Sequence, residues 1–316
     1  MKKILLIGCG NIGFRHLQAL CASQLAGQIG LTIIEPNTAH HSRITAELGR
    51  TPVQLSEVLT ALPQQADHFD LAIIATNADV RRRVFDGLVS KHTFAAIIFE
   101  KVLFQRIEDL DAVEAQLQGI AAHVNCGRRG FAGYQMLRDT LSFDTPVDYT
   151  VVGTQYALAS NAIHFLDIAA CINQSPLISL DASGLDQSGG DSKRAGYIEI
   201  YGTLKGTLEN GATVSLTCTP ADALLLDISI AGAALTGKID EAAGTVTVTR
   251  GDVTQTLAFE TRHVSGMPYL YETLLNGEGC LLPTYAESAA QHRLLLSAIN
   301  THLNLPDQSD TLCPIS

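Results

Sequence analysis

The stretch that most restricts the fold is Lys2-Lys3-Ile4-Leu5-Leu6-Ile7 running into Gly8-Cys9-Gly10-Asn11-Ile12-Gly13. An apolar run stops on glycines spaced G-x-G-x-x-G, and Ile12, Leu17 and Leu20 then follow at helical spacing. That order predicts a strand, a tight turn and a helix in direct succession. Gly8 permits the turn, Gly10 lets a phosphate approach the backbone and Gly13 lets the helix pack on the strand. The first N–H groups of the helix and the positive end of its dipole face such a phosphate. The competing reading, a lipoprotein signal cut before Cys9, fails on length. The uncharged apolar run spans only Ile4 to Ile7, against the roughly 7 to 15 residues a signal needs.

The alternation continues. GLTIIE reads as a strand, Thr38 to Leu48 as a helix, PVQLS as a strand, Asp70 to Thr76 as a strand, Ala78 to Lys91 as a helix and Ala96 to Lys101 as a strand. Nearly continuous apolar strands separated by helices predict a parallel sheet covered on both faces, a doubly wound Rossmann arrangement. Glu35 ends the second strand about twenty residues beyond the glycines, where an acid accepts ribose hydroxyls. The combination points to a dinucleotide. A carboxylate there repels a 2'-phosphate and no arginine follows immediately, so NAD is expected in preference to NADP.

From Tyr197 the pattern turns to short strands: 197–204, an Asn210-Gly211 hairpin turn, 212–218, 224–231 and 244–250. The expected architecture is therefore α/β: a Rossmann domain over 1–122 and an α+β domain over 123–316 with a large, mostly antiparallel open sheet. Such a sheet must bury its second face, which implies a homodimer or homotetramer.

Composition narrows the function classes. The 316 residues are 46% hydrophobic and 17% charged, with 32 acidic against 21 basic side chains. That balance argues against a nucleic-acid partner, and no apolar run approaches the roughly 18 residues of a membrane helix. Seven scattered cysteines with no CxxC pair or zinc spacing fit unpaired thiols in a reducing, cytoplasmic setting, with no metal site.

Three further segments fall in order: Ala75-Thr76-Asn77-Ala78-Asp79-Val80-Arg81, Glu100-Lys101-Val102, and Asn161-Ala162-Ile163-His164-Phe165-Leu166-Asp167. With the glycines and the closing Leu282 to His292, this order resembles the glucose-fructose oxidoreductase and inositol dehydrogenase (Gfo/Idh/MocA) family, and within it the dehydrogenases of bacterial surface-sugar pathways. The resemblance implies a dehydrogenase acting on the hydroxyl or carbonyl of a sugar, acidic sugar or sugar nucleotide. Relatives that oxidise and re-reduce a sugar transiently, as glycosidases or epimerases, and a non-catalytic NAD sensor are the alternatives.

The resemblance assigns catalysis to Lys101 and His164. Alcohol oxidation sheds a hydride and a proton together, so a base near neutrality takes the proton while a cation steadies the alkoxide. It places Gly8, Gly10, Asn11, Ile12, Gly13, Glu35, Thr76, Asn77, Arg81 and Glu100 at the cofactor, and Asn125, Asn161 and Asp167 near the substrate. Arg128 and Arg129 are expected to grip an acidic group bidentately. Tyr156, Lys193 and Arg194 are further candidates. A cap by Ser160 or Asn161 predicts a helix over 163–171 with His164 in its first turn. Two positions depart from the family: Val102 replaces a proline, and Ser160 stands where an aspartate is common.

Overall fold

The computed structural model describes residues 1–140, 145–187, 189–192, 196–233, 235–306 and 308–316. Lys193 and Arg194 lie outside the described residues. In chain order the elements begin β1 (Lys2–Ile7), α1 (Asn11–Cys21), β2 (Ile29–Ile34), α2 (His41–Leu48), β3 (Gln54–Leu59), β4 (His68–Ile74), α3 (Ala78–Val89), β5 (Thr93–Phe99), α4 (Ile107–Glu114) and β6 (Ala121–Val124). They continue α5 (Ala132–Thr140), β7 (Val147–Thr154), α6 (Leu158–Asn173), β8 (Leu177–Leu185), β9 (Gly190–Asp191), β10 (Ile198–Glu199), β11 (Gly202–Leu208) and β12 (Thr213–Thr219). The chain closes with β13 (Leu225–Gly232), β14 (Leu235–Asp240), β15 (Thr245–Arg250), β16 (Val253–Ala258), α7 (Tyr269–Asn276) and α8 (Tyr285–His302).

The chain divides into two compact units. The first takes Met1–Phe104, Asp109–Gly127 and Arg262–Ala286; the second takes Gln105–Glu108, Arg128–Thr261 and Glu287–Ser316. This differs from the single boundary between 122 and 123, because Arg262–Ala286 returns to the first unit. Glu272 on α7 accepts hydrogen bonds there from Ser23 Oγ at 2.9 Å and Gln24 N at 2.7 Å, and Tyr271 bonds His16.

In the first unit six strands run parallel in the order β3-β2-β1-β4-β5-β6. Ile4, Leu5 and Leu6 on β1 and Leu71 to Ile74 on β4 are buried, as strands covered on both faces must be. The order reverses direction between β1 and β4, which is where doubly wound sheets open a crevice beyond the strand C-termini.

The second unit is built on eight strands ordered β16-β15-β14-β13-β7-β12-β11-β8. Only β7 and β12 pair in parallel; the other neighbours are antiparallel. Gly211, at φ +89°, completes the Asn210-Gly211 turn between β11 and β12, a conformation that glycine adopts without a Cβ clash. Val147, Tyr149 and Val151 on β7 point into the core with Ile228 and Ile230 of β13. Their outward neighbours include Val152 at 51% exposure and Leu225 at 64%. No described helix is long and apolar enough to cross a membrane.

The helix carrying His164 begins earlier than the sequence predicts. α6 starts at Leu158 after Ala157 in a left-handed conformation, with no side-chain cap from its own sequence. Glu199 supplies one from a distant strand: its Oε1 accepts Ala159 N and Ile200 N, each at 3.0 Å. Ser160 and Asn161 therefore lie inside the helix, with Asn161 Nδ2 donating to Tyr156 O at 2.6 Å. His164 stands in the second turn, farther from the positive helix end than a cap at Ser160 or Asn161 implies.

Candidate functional site

In the first unit the register places the predicted residues that follow the strand ends in one line. Ile34, Ile7, Ile74, Phe99 and Val124 pair successively across the sheet as the last residues of their strands. The residues that follow them, Glu35, Gly8, Ala75-Thr76, Glu100-Lys101 and Asn125, form one row along the sheet's C-terminal edge. That edge is the ligand side of a doubly wound fold.

The glycine turn is shaped for a ligand as well as for packing. Gly8 has φ +82° and its N–H donates to Ile34 O at 2.8 Å. A Cβ on Gly13 would sit 1.9 Å from Gly8 O, so only glycine lets α1 approach β1 this closely. A Cβ on Gly10 would meet nothing within 4 Å, and Gly10 lies at φ -65°. Protein packing thus gives no reason for glycine at position 10, whereas a pyrophosphate against the backbone does. Gly10, the N-cap of α1, supplies no side-chain cap, and the N–H groups of Asn11, Ile12 and Gly13 open the first turn. The buried Thr76 hydroxyl just after β4 has no hydrogen-bond partner among the described residues. The residues present therefore fit a dinucleotide.

Glu35 lies beside this turn, with Oε2 accepting Cys9 N at 2.7 Å and Oε1 accepting Asn37 N at 2.8 Å. His40 Nδ1 approaches it at 3.3 Å. Arg43, which sequence reasoning passed over because it stands eight positions after Glu35, donates to Cys9 O at 2.5 Å and covers the Phe14 ring at 4.8 Å. Only the α2 turn brings it back to the glycines. Burial, opposed by the Arg43 charge, pushes the Cys9 thiol up to about 12, so Cys9 is a neutral packing residue.

Lys101 is the single half-buried residue in an otherwise buried run from 96 to 105. Its peptide bond to Val102 is cis. Two residues assigned to the cofactor are turned instead toward the segment around it. Arg81 is 1% exposed, and its guanidinium donates to Val102 O, to Leu103 O at 2.7 Å and to Thr76 O. It clamps the β4 and β5 loops together. The buried Glu100 carboxylate accepts from His16 Nε2 at 2.8 Å and Asn125 Nδ2 at 2.5 Å, so both Glu100 and Asn125 are engaged within the protein. His16 was missed in the sequence because its partner Glu100 is 84 residues away. Asn77 is the exposed N-cap residue of α3.

In the second unit α6 is buried from Ala162 to Ala170 except at His164, which is half-exposed. Asp167 is not a free partner for that ring. Arg129 Nε and Nη2 meet its two oxygens at 3.0 and 2.7 Å. Burial pushes the Asp167 carboxyl up to about 6 against the pull of that guanidinium. Arg129 also reaches Glu287 at 3.4 Å. Arg128 pairs with Glu241 and lies 4.6 Å over the Phe165 ring. The arginine pair expected to grip an acidic substrate therefore holds α6 in place. Tyr156 is buried against Phe165, and its hydroxyl has no hydrogen-bond partner among the described residues.

No protein-family model matches the chain, and neither does any curated protein. Solved structures do. It is similar to UDP-N-acetylglucosamine 3-dehydrogenase GnnA from Acidithiobacillus ferrooxidans, with TM-score 0.70 and 18% identity over 96% of this chain and 97% of that one. An oxidoreductase from Agrobacterium radiobacter, solved with NAD+, L-tartaric acid and magnesium, matches with TM-score 0.70 and 18% identity over 96% of each chain. A protein from Desulfitobacterium hafniense, provisionally named an NADPH-dependent oxidoreductase, matches with TM-score 0.70 and 12% identity over 95% of this chain and 94% of that one. The likeness runs through both units, and the shared property is the fold.

Proposed function

We propose that this chain is an NAD-dependent oxidoreductase moving a hydride between the nicotinamide and a hydroxyl or carbonyl of a sugar, acidic sugar or sugar nucleotide. The carrying observation is the row of strand ends in which the start of α1, with the open side of Gly10, stands between Glu35 and Thr76, with Lys101 one strand farther along. Dehydrogenases and oxidoreductases among the similar folds support the reaction class.

The nicotinamide carries the hydride, and the protein places and polarises the reacting groups. Gly8, Gly10, Asn11, Ile12 and Gly13 present backbone to the pyrophosphate, and Thr76 and Asn77 border it on the β4 side. Glu35 would accept the ribose hydroxyls on the remaining lone pairs of its carboxylate oxygens, beside its two backbone donors. The Lys101 ammonium steadies negative charge on the substrate oxygen, and the His164 imidazole takes or returns the hydroxyl proton. Asn161 is a candidate contact to a sugar hydroxyl. The exposed outer face of the eight-stranded sheet, with Val152 and Leu225, is the surface for self-association.

The cofactor assignment rests on Glu35, because the similar folds carry both NAD and NADPH designations. Titration of NADH and NADPH into the wild type and Glu35→Ala tests it. NADH is expected to bind the wild type more tightly and to lose about tenfold or more in the variant, equivalent to ~1.4 kcal/mol, with a smaller change for NADPH. Equal losses for both would remove the NAD preference.

A further inference from the structure

The side chains behind Lys101 make a buried polar chain for which the proposed hydride transfer has no direct use. Tyr271 on α7 meets His16 Nδ1 at 2.5 Å, and His16 Nε2 meets Glu100 Oε1 at 2.8 Å. Asn125 Nδ2 donates to the same oxygen at 2.5 Å, and the Lys101 N–H donates to Glu100 Oε2 at 3.2 Å. One proton arrangement satisfies every member: the Tyr271 hydroxyl donates to Nδ1, and Nε2–H donates to an ionised Glu100. His16 is 0% exposed and Glu100 4%. An apolar side chain would fill position 16 without needing two aligned partners, so the polar chain serves something other than packing.

We infer that His16 is a positioning residue acting through Glu100, whose fixed carboxylate accepts the Lys101 N–H and stands as the counter-charge to that lysine at the end of β5. Arg81 holds the other side of the same segment through the Val102 and Leu103 carbonyls. Burial alone would push Glu100 up, but the hydrogen bond from His16, the Asn125 amide and the Lys101 charge outweigh it and leave the carboxyl below its ordinary value. The titratable groups facing Glu100 are His16 from α1, with Tyr271 of α7 behind it, and Lys101 itself. That Lys101 meets a substrate oxygen rests on the oxidoreductase reading; that Glu100 is its counter-charge does not.

The test is the pH profile of Lys101 acetylation by trace acetic anhydride, read by peptide mass spectrometry in the wild type, His16→Gln, Tyr271→Phe and Glu100→Gln. The exposed Lys238 serves as the internal reference. Removing a carboxylate from beside an ammonium shifts its titration by about one pH unit or more. Glu100→Gln is expected to lower the Lys101 midpoint by about that amount, and His16→Gln and Tyr271→Phe by less in the same direction, with Lys238 unchanged. Once a substrate is in hand, His16→Gln lowers kcat with KM unchanged. Unchanged Lys101 profiles in the folded variants overturn the inference, and if His16→Gln does not fold, Glu100→Gln and Tyr271→Phe decide it. Shifted profiles in a protein that binds no NADH and turns over nothing would sink the oxidoreductase reading and leave the positioning role standing.

Discussion

Arg129 and Asp167 face each other through two hydrogen bonds, Nε to Oδ2 at 3.0 Å and Nη2 to Oδ1 at 2.7 Å, with the Asp167 side chain fully buried. The pair joins the segment after β6 to α6, three residues beyond His164. Removing one partner strands the other, which costs ~3–5 kcal/mol, whereas replacing both by apolar groups is close to neutral. Arg129→Met is therefore expected to lose about that much stability in urea denaturation, and Arg129→Met/Asp167→Leu to recover most of it. A double variant as unstable as the single one would mean that the packing around α6, and not the ion pair, carries the effect.

The two inner glycines separate folding from binding. Gly13→Ala forces a Cβ to within 1.9 Å of the Gly8 carbonyl oxygen, so thermal unfolding should show a severe loss of stability. Gly10→Ala adds a Cβ to open space at a φ that alanine accepts. Its Tm should match the wild type while NADH affinity falls by about tenfold or more, since the methyl stands where the pyrophosphate approaches. A folded Gly10→Ala protein with wild-type NADH affinity would place the phosphates elsewhere.

Glu100 contributes to the acid limb of stability. Its folded pKa is lowered from the ordinary 4.5, so the unfolded chain binds its proton more readily. The contribution is present above about pH 4.5 and is lost as pH falls through the folded value. Glu100→Gln, which cannot titrate, should show a shallower decline below pH 4.5 in chemical denaturation. Parallel curves for variant and wild type would remove Glu100 from the acid response.

On the outer face of the eight-stranded sheet, Val152 and Leu225 lie on adjacent strands β7 and β13 and are 51% and 64% exposed. Val152→Asp with Leu225→Asp should reduce the mass measured by light scattering to that of one chain, if this face mediates self-association. An oligomer of unchanged mass would move the interface to another surface.

Much of the first unit is legible in the sequence because its strands are buried on both faces and its turn chemistry is local. Ile4 to Ile7, the glycines and Glu35 stand where their spacing puts them. The second unit's hairpins are legible at Asn210-Gly211 for the same reason. What escapes is long-range. The start of α6 depends on Glu199, a cap 40 residues downstream of Ala159. Arg81 and Glu100 sit in segments that resemble cofactor contacts, yet their side chains turn to backbone carbonyls and to His16. Arg128 and Arg129 read as a grip for an acidic group until Glu241 and Asp167 are brought up by the fold. Charged side chains reveal their partners only after the tertiary structure has chosen them.

The most direct measurement is hydride transfer to NAD by the wild type, Lys101→Ala and His164→Ala across a panel of sugars, acidic sugars and sugar nucleotides, followed by the appearance of NADH. The predicted result is turnover of one substrate class by the wild type, with kcat/KM reduced by about a hundredfold or more in each variant, the scale of a lost acid-base or charge-stabilising group. A substrate oxidised equally well by wild type and both variants would contradict the assignment of catalysis to Lys101 and His164. Tight NADH binding with no turnover across the panel would contradict the dehydrogenase function itself.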